Sequence, residues 1–195
     1  MLKSKDKSSG KDMYVLSPGD FYADECDCIL ATVTGSCVVV CLHEWRRNIG
    51  AMGHFILPGS PGTHEIYKDE IAAHGINSME HLVAMIVKLG GDRKNLQAKL
   101  FGAAYLSANN RLDSVIKGNI TFLNDYFTME HIPIEKEDLG GDRRRKLFFY
   151  PKTGKVYRRL LAKNEDTSEF VIMEKEYIDR TIREKGSFGK IVMFQ

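Results

Sequence analysis

Residues 34–42 read Thr34-Gly35-Ser36-Cys37-Val38-Val39-Val40-Cys41-Leu42. The Thr-Gly-Ser triplet interrupts an apolar run, Cys28 to Val33, and a second run, Cys37 to Leu42, follows it. Three consecutive valines do not alternate as a half-exposed strand does. They predict a strand covered on both faces, which requires layers on either side of a central sheet. Cys37 then sits where a tight turn enters that strand.

The pattern outward from this stretch is rich in strands. Met13 to Leu16 reads as a short edge strand ended by Ser17-Pro18-Gly19-Asp20. Ile49 to Leu57 reads as a third strand, closed by Pro58-Gly59-Ser60-Pro61-Gly62. A helix starting at Asn77 or Ser78 places Met79, Leu82, Val83, Ile86 and Leu89 at helical spacing and ends at Gly90-Gly91. Leu96 to Phe101 and Ile132 to Glu135 read as strands, and Asn119 to Phe127 as a second amphipathic helix. Leu147 to Tyr150 and Val156 to Leu161 flank Pro151-Lys152-Thr153-Gly154-Lys155, a hairpin signal. Glu174 to Lys185 reads as a third helix and Lys190 to Phe194 as a last strand. Residues 1–12, charged and without periodicity, read as a mobile tail, leaving one domain over 13–195. Strands outnumber helices without strict alternation, which predicts an α+β fold with mixed sheets.

Composition narrows the function classes. The chain has 195 residues, 43% apolar and 28% charged, with a net charge of +2. Its mean hydropathy is −0.28. This is the balance of a globular domain, with no apolar run near the ~20 residues that span a bilayer. The N-terminal stretch lacks the apolar core of a signal peptide, so a reduced, cytoplasmic setting is expected for the four cysteines. Between residues 140 and 163 nine Lys and Arg stand against Asp142 alone, so the remainder is net acidic. That asymmetry suits an acidic protein partner. No nucleic-acid motif accompanies it.

Two chemistries are open to the cysteines. A thiol at a turn–strand junction is exposed by the turn and fixed by the strand, and the adjoining backbone N–H groups can receive an oxyanion. Its base is sought among six histidines. His54, in Gly50-Ala51-Met52-Gly53-His54, lies on the next strand among small residues, whereas His64, His74 and His81 read as surface residues. A buried structural cysteine and a core histidine fit the same pattern. The four thiols Cys26, Cys28, Cys37 and Cys41 do not have paired zinc-knuckle spacing, so no metal is expected.

The nine residues from Thr34 to Leu42, followed by Gly50-Ala51-Met52-Gly53-His54-Phe55-Ile56-Leu57-Pro58, resemble the chemoreceptor glutamine deamidases, the CheD family of bacterial chemotaxis. Further likeness lies in Lys99-Leu100-Phe101-Gly102-Ala103-Ala104, Leu139-Gly140-Gly141-Asp142-Arg143 and Thr153-Gly154-Lys155-Val156, and covers roughly residues 13–195. The resemblance implies a cytoplasmic hydrolase that converts receptor glutamines to glutamates, with Cys37 as nucleophile and His54 as general base. Gly35 and Ser36 would supply the oxyanion site. It implies a layered α+β sandwich with outer helices, akin to the cytotoxic necrotizing factor catalytic domain. It also implies no cofactor, receptor helices as partners without membrane insertion, and a CheC-type phosphatase as a second partner. In the family pattern a Thr six residues before the Cys orients the imidazole. This chain has Ala31 there and Thr32 beside it, so Thr32 is assigned that role, which requires an altered strand register because a shift of one residue turns a side chain to the other face. A module that binds receptors or the phosphatase without catalysis is the alternative. A papain-like protease, with its His far downstream, fits poorly.

Overall fold

The computed structural model describes residues 1–56, 70–106, 110–162, 165 and 167–183. Among these, ten strands and three α-helices run in the order β1 (Leu2–Lys5), β2 (Asp12–Val15), β3 (Phe21–Asp24), β4 (Ile29–Thr34), β5 (Val38–Glu44), β6 (Ile49–Phe55), α1 (Glu70–Lys88), β7 (Leu96–Gly102), α2 (Asn110–Met129), β8 (Ile134–Leu139), β9 (Arg145–Tyr150), β10 (Lys155–Leu160) and α3 (Ser168–Arg183). They build two five-stranded sheets, β1-β2-β4-β9-β10 and β3-β6-β5-β7-β8. Each sheet is mixed, because β2 pairs parallel with β4 and β7 parallel with β8. The expected α+β class with mixed sheets is therefore present.

The valine run acts as its pattern predicts. Val39 and Cys41 point into the space between the sheets, where they join Met52 and Phe101 against Leu30, Leu147 and Phe149 of the other sheet. Val38, Val40 and Leu42 point the opposite way, onto Met79, Leu82 and Ile86 of α1 and Ile116, Leu123 and Phe127 of α2. The layers are thus sheet, sheet and helices, with β5 in the middle. Each such side chain, fully buried, contributes about 1.5–3 kcal/mol.

Element ends differ from the sequence reading where local signals were weak. α1 starts upstream of Ser78, at Glu70, and α2 starts at Asn110, so that Asn119 lies inside the helix and donates to the Val115 carbonyl at 2.7 Å. α1 ends as expected. Gly90 takes φ 92°, and the Gly90 and Gly91 amides return to the Val87 and Ile86 carbonyls. Residues 1–12 are not merely a tail. β1 pairs antiparallel with β2, and Lys3 Nζ lies 2.9 Å from an Asp12 carboxylate oxygen. Its side chains are all exposed, so the strand leaves no apolar trace in the sequence.

The basic hairpin is β9–β10, with β10 at the sheet edge. Its charge is partly spent internally. Arg145, 3% exposed, pairs with Asp138 at 2.8 Å, Arg158 reaches Asp138 at 3.1 Å, and Arg159 reaches Glu165 at 2.7 Å. The turn at 58–62, His64 and the strand expected over 190–194 lie outside the described residues.

Candidate active site

The alternation of β4 and β6 decides which side chains meet. Leu30 faces the second sheet, so Thr32, two residues on, faces it too, and Ala31 faces away. Met52 faces the first sheet, and so does His54. Thr32 and His54 therefore oppose each other across the gap between the sheets, and Thr32 Oγ1 lies 2.9 Å from His54 Nδ1. The Thr32 hydroxyl also bonds the Leu16 carbonyl at 2.8 Å. A carbonyl only accepts, so the hydroxyl proton goes to Leu16. The proton in the other contact then belongs to Nδ1, which donates to Oγ1. His54 Nε2 is left with its lone pair free, buried and without a hydrogen-bond partner among the described residues. The backbone of His54 is fixed as well: its N–H donates to Asp20 at 3.0 Å and its carbonyl accepts from Gly19 at 2.7 Å.

The turn before β5 holds Cys37. Thr34 Oγ1 donates to the Cys37 carbonyl at 2.9 Å, and Ser36 Oγ donates to the Ala104 carbonyl at 3.1 Å. The Ala103 amide bonds the Cys37 carbonyl at 2.9 Å, and the Ala104 amide bonds that of Gly35 at 2.8 Å. This bracing requires the backbone after β7 to pass very close. Gly102 sits at φ 101°, and a Cβ there would overlap the Cys37 carbonyl oxygen.

One participant was not singled out from the sequence. Glu174 of α3 is 6% exposed, and its Oε1 accepts from the Gly35 amide at 3.0 Å and the Cys37 amide at 2.9 Å. The converging amides are thus those of Gly35 and Cys37, while Ser36 contributes its hydroxyl to Ala104. Cys37 Sγ, a ring nitrogen of His54 and a Glu174 carboxylate oxygen all lie within 4.8 Å of one another. These are donor types a zinc ion accepts, although two amides aimed at one carboxylate oxygen define a seat for an anion. The signal for Glu174 was its place on the helix. It shares a stripe with Tyr177, Ile178 and Thr181, where a lone carboxylate interrupts an otherwise inward-facing set.

Burial sets the charge states. Cys37 and His54 are both 0% exposed. Burial, reinforced by the Glu174 carboxylate, pushes the Cys37 thiol well above its ordinary range. Burial lowers His54 to about 4. The resting pair is therefore a neutral thiol beside a neutral imidazole. The remaining cysteines stand apart: Cys26 is exposed, and Cys28 and Cys41 are buried in the inter-sheet cluster. A cleft of about 310 Å³, lined by Tyr105, Leu106, Arg143 and Arg144 among others, opens beside the turn.

The fold and this constellation define a class: a layered α+β protein whose two sheets hold a cysteine, an imidazole with an assigned tautomer and an anion seat of backbone amides. Comparison with known proteins narrows the class. The family model described as CheD chemotactic sensory transduction matches residues 56–160, a span that begins just beyond His54. A "Probable chemoreceptor glutamine deamidase CheD" of Saccharophagus degradans is 33% identical over 183 residues, covering 92% of this chain and 83% of that protein. A relative of the same description in Shewanella oneidensis is 36% identical, covering 91% and 85%. One in Methylobacillus flagellatus is 32% identical, covering 97% and 93%. The chain belongs to the CheD family. Among solved structures, the Bacillus licheniformis hypothetical protein YfiH covers 60% of this chain and 49% of its own at 13% identity, with a TM-score of 0.38, too slight a likeness to carry an argument.

Proposed function

We propose that the chain is a cysteine hydrolase that deamidates glutamine side chains of chemoreceptors, acting in the cytoplasm on the receptors' helical signalling region. The carrying observation is the tautomer of His54, whose Nδ1–H is committed to Thr32 so that Nε2 keeps a free lone pair on a ring that stands within 4.8 Å of Cys37 Sγ. In a member of the CheD family, that arrangement suits acyl transfer from a carboxamide.

The chemistry follows from the neutral pair. Nε2 takes the proton from Cys37 Sγ as the sulfur bonds to the carboxamide carbon. The oxygen, now negative, rests on the Gly35 and Cys37 amides. The imidazolium returns its proton to the nitrogen, the C–N bond breaks and ammonia leaves. Water, deprotonated by Nε2, then hydrolyses the thioester, freeing the carboxylate and the thiol. Thr32 holds the ring through both halves. No metal or organic cofactor enters these steps. The layered sheets support kinship with the catalytic domain of cytotoxic necrotizing factor. The exposed Arg143 beside the cleft suits acidic receptor helices, and a CheC-type phosphatase is a second expected partner.

A second reading is a receptor- or phosphatase-binding module without catalysis. It is favoured by the complete burial of Cys37 and His54. Incubation with purified receptor cytoplasmic fragments separates the two. The deamidase reading expects ammonia release matched by Gln-to-Glu conversion in receptor peptides. Binding with every glutamine intact would overturn it.

A further inference from the structure

The resting site is closed by this chain's own helix. α3 lays Glu174, Tyr177 and Ile178 against the Cys37 turn. Ile178 packs with Cys37, Ile56 and Val115. Gly19 lies under the Tyr177 ring, where a Cβ would come within 2.9 Å. Gly35 is equally constrained, because a Cβ there would stand 2.7 Å from Glu174 Oε2. The turn and the carboxylate fit each other closely. Glu44 is the other buried glutamate among the described residues, and it is held by the Arg47 amide and the Asn95 side chain. Glu174 differs in the kind of seat it takes, the paired amides beside the thiol and the imidazole.

A glutamate side chain is what remains when a glutamine side chain is deamidated. Resting on the deamidase reading, we propose that α3 is a product mimic in cis: Glu174 occupies the seat of the product carboxylate, presented from a helix as a receptor glutamine would be, and α3 must withdraw before a substrate helix enters. The carboxylate blocks the oxyanion seat, and the helix shields the sulfur from water and from substrate. The outer face of α3, with Ile172, Lys175, Glu176 and Arg180, is exposed and the helix adds no strand to either sheet, so its release opens the site without unfolding the sheets.

The proposal makes α3 convertible into a substrate. In the full chain carrying Glu174→Gln, the carboxamide lies where Cys37 Sγ can bond its carbon. Ammonia leaves with a proton from His54, and water hydrolyses the thioester. Peptide mapping by mass spectrometry should show the position-174 amide becoming a carboxylate with time, and no conversion when Cys37→Ala is added. In the full chain carrying Glu174→Ala, ammonia release from receptor fragments should rise about tenfold, as for a site whose open form is a minor population. An intact amide, together with an unchanged rate in Glu174→Ala, would overturn the mimic while leaving an active wild type as a deamidase. Absence of both self-conversion and receptor deamidation in every form would instead overturn the deamidase reading on which the mimic rests.

Discussion

Thr32 Oγ1 stands 2.9 Å from His54 Nδ1 while its own proton is held by the Leu16 carbonyl. One hydroxyl therefore fixes both the tautomer of the ring and its direction, and it does so from the opposite sheet. The imidazole is oriented only while the two sheets stay packed, which couples the core to the chemistry.

Thr32→Ala should lower kcat by about 10²-fold, the scale of a small misplacement of a catalytic group. Thr32→Ser keeps the hydroxyl and should recover most of the rate. Steady-state kinetics of both variants check this, and the change should appear in kcat rather than KM. Equal rates for Thr32→Ala and wild type would reduce the site to Cys37 and His54.

The buried imidazole makes stability depend on pH. His54 is lowered to about 4 in the folded chain from an ordinary 6.5. Between these values the unfolded chain binds a proton that the folded chain refuses, so stability is full above 6.5 and falls as the pH drops toward 4. The span corresponds to about 3 kcal/mol. Denaturation followed across this window should show the loss in wild type and a shallower slope in His54→Gln. That variant should also lose about 10²–10⁴ in rate.

Gly102→Ala should damage both stability and catalysis. The residue holds φ 101°, and an added Cβ overlaps the Cys37 carbonyl oxygen. The expected cost is above about 1 kcal/mol, with kcat reduced because the turn carrying Cys37 must shift. Gly10→Ala is the control. It shares the positive φ but has nothing within 4 Å of its Cβ, so it should cost stability alone.

Much of this was legible in the residues. The valine run declared a strand covered on both faces, and Cys37 and His54 were paired from their places on neighbouring strands. Thr32 was reachable by resemblance, but the reason that it, and not Ala31, meets His54 is the parity of β4, which depends on which face meets the second sheet. Glu174 was hidden by distance, since it lies 137 residues from the amide of Cys37 that it accepts from. β1 was hidden because an exposed strand held by backbone pairing and ion pairs needs no apolar pattern. The basic hairpin was visible, but the partnering of Arg145, Arg158 and Arg159 was not, because Asp138 and Glu165 lie outside the strands they neutralise.

Everything proposed for this site turns on Cys37 being the nucleophile of a deamidase. The decisive experiment measures ammonia release from purified receptor cytoplasmic fragments for wild type and Cys37→Ala side by side. Wild type should release ammonia steadily and Cys37→Ala none above background, with its fold intact because β5 and its two layers are untouched. Full activity in Cys37→Ala, or no release by wild type from fragments it binds, would contradict that role.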